Sequence, residues 1–347
     1  MKVLLIFTGG TISMVPNPET GGLRPADIET FKANVPELEA LEVDIDMLPF
    51  RPFIDSSDVR PDDWVRMARA VRDNYDNYDG FVILHGTDTM SYSASAVSFM
   101  LQNLHKPVIF TGSQLPIGML RSDAKENLLT AIELAAAQKE DGQAMVPEVC
   151  LFFEDHLFRG NRTTKQNAEH FEAFASYNYP ALAKAGVHIF YREHLILHRD
   201  RSLPLLLRDQ VDANVAVLKL FPGISEAVVS SILNTPGLRA VVLETFGSGN
   251  APSYDWLYCC LKSAVDRGII IVNKSQCGTG SVEMGRYEVS LPLVRAGVLS
   301  GYDSTTEALL TKMMCLLGCL GDNTEEIKRL IQTPICGEIT VNETTNA

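Results

Sequence analysis

No run of five or more lysines and arginines occurs in this chain of 347 residues, and its formal net charge is −13. A phosphate backbone is bound through a basic stripe, so this balance excludes nucleic acid as a natural partner. No apolar stretch is long enough to cross a bilayer, which excludes a membrane-spanning helix. The first residues, Met1-Lys2-Val3-Leu4-Leu5-Ile6-Phe7, run straight into Gly9-Gly10. That run is too short for a secretory leader and lacks a small-residue cleavage site. Cys-x-x-Cys is missing, and the seven cysteines are an odd number, mostly in apolar surroundings. A disulfide framework or a zinc site needs other spacings. His194 and His198 lack the glutamate of His-Glu-x-x-His, so they make a poor metal pair. These absences predict a cytoplasmic protein with neither metal nor membrane contact.

What is present suffices for two ordinary cores, since 46% of residues are apolar. Short β-branched runs alternate with segments of helical period, which predicts an α/β fold with a parallel sheet. In the first half the strands fall at 3–7, 81–85, 108–110, 149–153 and 187–191. Helices fall at 58–75, with Asp58 as cap and Pro61 in the first turn, at 89–104, and after Asp123-Ala124-Lys125-Glu126, which has capping-box spacing. Mixed charge, Pro204 and loss of period at 192–212 mark a linker. Beyond it the alternation restarts. Strands fall at 215–220, 240–245 and 269–272, and helices at 225–233 and 253–267, then after Ser304-Thr305-Thr306-Glu307 and after Asn323-Thr324-Glu325-Glu326. The expected organisation is an N-terminal α/β domain at 1–191, the linker, and a smaller C-terminal α/β domain at 213–347 with a fraying polar end from 342.

Three of the first-half strands empty into Gly/Thr/Ser turns: Thr8-Gly9-Gly10-Thr11, Gly86-Thr87-Asp88-Thr89 and Thr111-Gly112-Ser113. In an open parallel sheet such turns meet above the carboxyl ends of the strands, where ligands bind. Gly9-Gly10-Thr11-Ile12 carries neither Gly-x-Gly-x-x-Gly nor Gly-Lys-Ser/Thr, and no Gly-x-Ser-x-Gly elbow occurs. Dinucleotide, P-loop and serine-hydrolase readings therefore fall away. A threonine hydroxyl becomes a useful nucleophile only beside a base. Lys165, in Arg159-Gly160-Asn161-Arg162-Thr163-Thr164-Lys165, follows a strand and can reach the same rim. Threonines in turns also cap backbone groups, so the pattern alone leaves capping and catalysis both open.

Thr8-Gly9-Gly10-Thr11-Ile12, with His85-Gly86-Thr87-Asp88-Thr89-Met90 further along, resembles the bacterial-type L-asparaginase family. Asp55-Ser56-Ser57, Thr111-Gly112-Ser113-Gln114, Asp123-Ala124-Lys125-Glu126-Asn127-Leu128 and Phe246-Gly247-Ser248-Gly249-Asn250 extend the likeness across nearly the whole chain. Asp55-Ser56-Ser57 and the missing leader resemble the cytoplasmic type I branch. The resemblance implies a larger N-terminal doubly wound, mainly parallel sheet and a smaller C-terminal α/β domain. It implies hydrolysis of asparagine to aspartate and ammonia through a threonine acyl-enzyme, with no cofactor, in a homodimer or homotetramer. By the same resemblance the nucleophile falls on Thr11, a second triad on Thr87, Asp88 and Lys165, and substrate contacts on Asp55, Ser56, Ser57, Thr87 and Asp88. Rival readings are a glutaminase, an amidotransferase-type amidohydrolase subunit, which typically carries an extra domain before the first turn, and a non-catalytic amino-acid sensor on the same fold.

Two departures from the family pattern stand out. Many members carry a tyrosine in the loop after the first threonine. Here the loop at 15–25 has none, Leu23 stands nearest that place, and Tyr302 is a substitute from elsewhere. The Pro16, Pro18, Gly21 and Gly22 of that loop suit either a lid with hinges or a surface connection. In relatives that asparagine activates, an arginine precedes the Gly-x-Gly-Asn turn. This chain keeps the accompanying Gln276-Cys277 step but has Glu244 at the arginine position, so weak or absent activation is expected unless Arg239 or Arg286 supplies the charge.

Overall fold

The computed structural model describes residues 1–16, 21–198, 200–285 and 290–341. Residues 17–20 of the proline- and glycine-rich loop, the side chain of Leu23, Arg286 and the tail at 342–347 lie outside the described residues. The chain divides into two compact units, Met1–Asp209 and Gln210–Ala347.

The first unit is built on an eight-stranded sheet. From one edge its order is Phe190–Tyr191, Ala183–Lys184, His156–Arg159, Val149–Phe153, Val108–Thr111, Gly80–Leu84, Lys2–Gly9 and Asp44–Ile54. The last five strands run parallel, and an antiparallel hairpin turns back from Val149–Phe153. A parallel sheet is covered on both faces, which explains near-continuous apolar runs in place of alternation. Val3, Leu5, Phe7, Val82, Leu84, Ile109, Cys150 and Phe152 pack with Leu128, Ile132 and Ala135 of the Ala124–Ala136 helix. Leu4, Ile6, Phe81, Ile83, Val108 and Phe110, their alternate neighbours, are also buried.

The second unit has a four-stranded parallel sheet in sequence order: Val215–Lys219, Ala240–Thr245, Ile270–Ser275 and Leu299–Ser300. Glu226–Leu233 and Asp255–Asp266 pack on one face, and Thr306–Leu320 with Thr324–Ile331 on the other. The α/β class is therefore as expected, with a larger N-terminal and a smaller C-terminal sheet. Ser225, Thr305 and Asn323 cap their helices by accepting from the amides of Val228, Ala308 and Glu326; the starts at Ser304-Thr305-Thr306-Glu307 and Asn323-Thr324-Glu325-Glu326 are as expected, whereas Ser225 stands before its helix and not within it.

Several local expectations need correction. The helix expected at 58–75 spans Pro61–Asp73, with Asp63 reaching back to the Arg60 amide at 3.1 Å, while Asp58 lies in a preceding 3-10 turn. The helix expected at 89–104 spans Met90–Met100, because Leu101–Gln102 pairs instead with Leu206–Leu207. Of the strand expected at 187–191 only Phe190–Tyr191 pairs, Val187 being almost fully exposed. Asp123 precedes its helix but does not cap it, for reasons that belong to the site.

Candidate functional site

Glycines bring the strand-end turns together. Gly10 has φ +85°, and a Cβ there would lie 2.3 Å from the Gly86 amide nitrogen. A Cβ on Gly86 would lie 2.5 Å from Ser56 Oγ, and one on Gly112 would lie 2.3 Å from the His85 carbonyl oxygen. Only hydrogen fits at these crossings, and the positive φ at Gly10 independently favours glycine. The Gly10, Ser56, Gly86 and Gly112 turns thus meet at the carboxyl ends of parallel strands, the usual place for a ligand in an open sheet.

The hydroxyls in these turns divide into spent and unspent. Thr8 donates to the Leu84 carbonyl at 2.7 Å, Thr111 to Phe152 at 2.9 Å and Thr89 to Ser56 at 2.6 Å. Those are stitches between neighbouring turns and strands. Thr11, at the start of the Thr11–Ser13 3-10 turn, is half-buried, and its hydroxyl has no hydrogen-bond partner among the described residues. The Gly10 carbonyl before it is held by the Ser13 amide at 3.1 Å and the Ser13 hydroxyl at 2.8 Å.

Thr87 has a different set of partners. Lys165 Nζ donates to Thr87 Oγ1 at 2.8 Å and to Asp88 Oδ1 at 2.7 Å. Thr87 is 8% exposed, whereas the Asp88 side chain is 64% exposed and presents its carboxylate outward. Lys165 stands in the short strand Thr164–Lys165, paired with Phe174–Ala175, so a hairpin carries it to the rim. The structure therefore brings Thr87, Asp88 and Lys165 into direct contact, with Ser56 packed beside Gly86. Asp55 and Ser57 are exposed and bond each other: Asp55 Oδ1 accepts from the Ser57 amide at 2.9 Å and its hydroxyl at 2.8 Å. Those bonds hold the Asp55 carboxyl below its ordinary range.

Beneath the turn, His85 is buried. Its Nδ1 lies 2.7 Å from the Gly86 carbonyl, which can only accept, so that nitrogen carries the proton. Nε2 then accepts from Ser93 Oγ at 2.8 Å, and Ser93 Oγ accepts from Trp64 Nε1 at 3.0 Å. Burial pushes the His85 pKa down to about 4, so the ring is a neutral strut under Gly86. Asp123 explains its missing cap in the same way. Its carboxylate accepts from the Gln114 amide at 3.0 Å and the Leu115 amide at 3.1 Å, fixing the Thr111 turn. Asn127 adds a bond to the Gly112 carbonyl at 2.9 Å. Sequence reasoning missed His85, Asp123 and Gln114 as parts of this assembly. Gln114 reaches His170 across 56 positions, while His85 and Asp123 find partners within nine; all three stand inside the motifs that carry the family resemblance, which mark the region without giving these residues a role.

In the second unit, Glu244 stands next to last in its strand, nearly buried, and accepts from the Thr306 hydroxyl at 2.6 Å, with Lys219 at 3.8 Å. Arg239 is committed elsewhere, to Asp212 at 3.2 Å and the Gly321 carbonyl at 2.7 Å. Tyr302 belongs to this unit, with φ +52°. Among the described residues no group of three or more His, Cys, Asp or Glu side chains could hold a metal ion. Among them, too, no helix is long and apolar enough to cross a membrane.

Comparison with known proteins covers both units. Residues 2–197 match the family model described as Asparaginase, N-terminal, and residues 214–331 match the Glutaminase/Asparaginase C-terminal domain. The chain is 42% identical to L-asparaginase 1 of Escherichia coli K12 over 345 residues, covering 99% of each. The crystal structure of L-asparaginase I from Vibrio cholerae is similar at 41% identity and a TM-score of 0.88, covering 98% of this chain and 99% of that one. The thermostable L-asparaginase of Thermococcus kodakarensis gives 34% identity and a TM-score of 0.88, covering 99% and 100%.

Proposed function

The chain belongs to the asparaginase family, and from that premise we propose an L-asparagine amidohydrolase in which Thr11 is the nucleophile. The observation that carries the reading is Lys165 Nζ set 2.8 Å from Thr87 Oγ1 and 2.7 Å from Asp88. A lysine held against a buried hydroxyl is what a threonine needs if it is to trade protons. In this reading Thr11 attacks the side-chain amide carbon of asparagine and forms an aspartyl ester, with ammonia leaving. Backbone N–H groups of the convergent glycine turns stabilise the oxyanion, an effect worth about 3–4 kcal/mol per donor in comparable sites. Water oriented by Thr87 and Lys165 then hydrolyses the ester to aspartate. Ser56 and Asp88 hold the α-carboxylate and α-ammonium, with Asp55, Ser57 and Thr87 as the further substrate contacts. No cofactor enters this scheme.

The unspent hydroxyl of Thr11 supports the same reading against a purely capping role for these threonines. A cytoplasmic homodimer or homotetramer is part of the proposal, resting on the family alone. The test is ammonia release from asparagine and from glutamine by purified protein. Fixing both α-groups sets the distance to Thr11, so one extra methylene misplaces the amide carbon and lowers kcat/KM by about 100-fold. Equal efficiency on the two amides, or release from neither, contradicts the proposal.

A further inference from the structure

Gln114 supplies a constraint on Thr87 that the family assignment does not contain. Its Nε2 donates to the His170 backbone carbonyl at 3.0 Å, and its Oε1 faces Thr87 Oγ1 at 3.2 Å. A backbone carbonyl only accepts, so the amide cannot be flipped: nitrogen must face His170 and oxygen must face Thr87. Thr87 is then obliged to donate to Gln114, because an amide oxygen only accepts. Its single proton is committed there, and its lone pairs are left to face Lys165 and the open side. The chain of bonds has one direction, from Lys165 to Thr87 to Gln114, with Gln114 in turn tied to His170. The Gln114 backbone is equally fixed by Asp123, which accepts its amide at 3.0 and 3.1 Å.

We propose that Gln114 is a positioning residue that holds the Thr87 O–H away from the reacting side, so that Thr87 meets the incoming water as an acceptor. A water whose proton points at Thr87 turns its own lone pair toward the ester carbon. Without the Gln114 oxygen, the Thr87 hydroxyl is a free rotor and can point its proton at the water instead. Through His170 the same side chain couples this orientation to the tip of the hairpin that carries Lys165.

The inference rests on the role given to Thr87 above, and its test separates the two. In Gln114→Met, similar in length but without an acceptor, kcat on asparagine is expected to fall roughly tenfold, about the worth of one well-placed hydrogen bond. The inhibition constant for aspartate stays within about twofold, because Gln114 is not asked to bind substrate. In a Thr87→Val background, where no hydroxyl remains to be held, Gln114→Met costs nothing further. If Gln114→Met fails to fold, Gln114→Ala carries the same expectations. Wild-type turnover in folded Gln114→Met, beside a Thr87→Val variant whose activity is sharply reduced but still measurable, overturns this inference and leaves the role of Thr87 standing. The same holds for a Gln114→Met loss that is equally large in the Thr87→Val background. A wild-type protein releasing no ammonia overturns both.

Discussion

The Cα of Gly10 approaches Gly86 so closely that an added Cβ would lie 2.3 Å from the Gly86 amide nitrogen. Two strand-end turns, remote in sequence, are thereby held in backbone contact with Thr11 following one and Thr87 the other. Gly10→Ala must push these turns apart, against backbone rather than a flexible side chain, and must also place alanine at φ +85°. Activity on asparagine is expected to fall by at least about 100-fold, the scale of a misplacement of about 1 Å. A lower melting temperature should accompany it. Assay and thermal unfolding of the same sample check both, and a fully active Gly10→Ala protein contradicts the proposed convergence.

Lys165 and Asp88 are expected to act as one unit with Thr87, since a single ammonium touches both partners. Lys165→Met should lower kcat and leave aspartate binding largely intact. Asp88→Asn should weaken both, because Asp88 is also assigned the substrate ammonium. Members of one unit lose activity non-additively. A double variant whose loss equals the product of the single losses would mean the unit is wrongly drawn.

His85 gives a pH dependence with a definite sign. Its pKa falls from 6.5 to about 4 on burial, so below 6.5 the unfolded chain binds a proton that the folded chain refuses. The stability it contributes is full above pH 6.5 and is lost as pH falls toward about 4. The difference across that window is of order 3 kcal/mol. His85→Gln has no such titration, so the urea stability of the two proteins should converge as pH drops from 7 to 4. Parallel curves would show that the ring is not held neutral.

How much of this was legible in the chain follows from what each residue answers to. Strands such as Val149–Phe153 and Ala240–Thr245 read correctly because both faces are buried and the runs are apolar throughout. Thr305 and Asn323 read as helix starts because capping is a contact within three residues. Asp44–Ile54 shows no strand period in the sequence: it is the outer strand beyond Lys2–Gly9, and an edge tolerates the charges, Pro49 and Pro52 that hide the alternation. Asp123 has cap spacing, yet its carboxylate serves Gln114 and Leu115 of another turn, a choice made by tertiary structure. Thr11, Thr87 and Asp88 stand in short motifs and Lys165 follows a readable strand, but the Gln114–His170 bond spans 56 positions and leaves no local trace.

Asparagine is not expected to activate the enzyme strongly. A carboxylate effector is clamped well by an arginine with two parallel bonds. At the corresponding place this chain presents Glu244, held by Thr306, while Arg239 is engaged by Asp212 and Gly321. Initial rates against asparagine concentration should follow a hyperbola. A clearly sigmoidal curve that becomes hyperbolic on changing Cys277 would show a working effector site despite Glu244.

The central claim is that Thr11 carries the acyl group, and the measurement closest to it is mass analysis of enzyme quenched in acid during turnover of asparagine. An aspartyl ester is expected on the peptide containing Thr11. Thr11→Val, which removes the hydroxyl at nearly constant volume, should stay folded, form no adduct and release no ammonia above background. An adduct on a peptide lacking Thr11, or ordinary turnover in a folded Thr11→Val sample, contradicts the account.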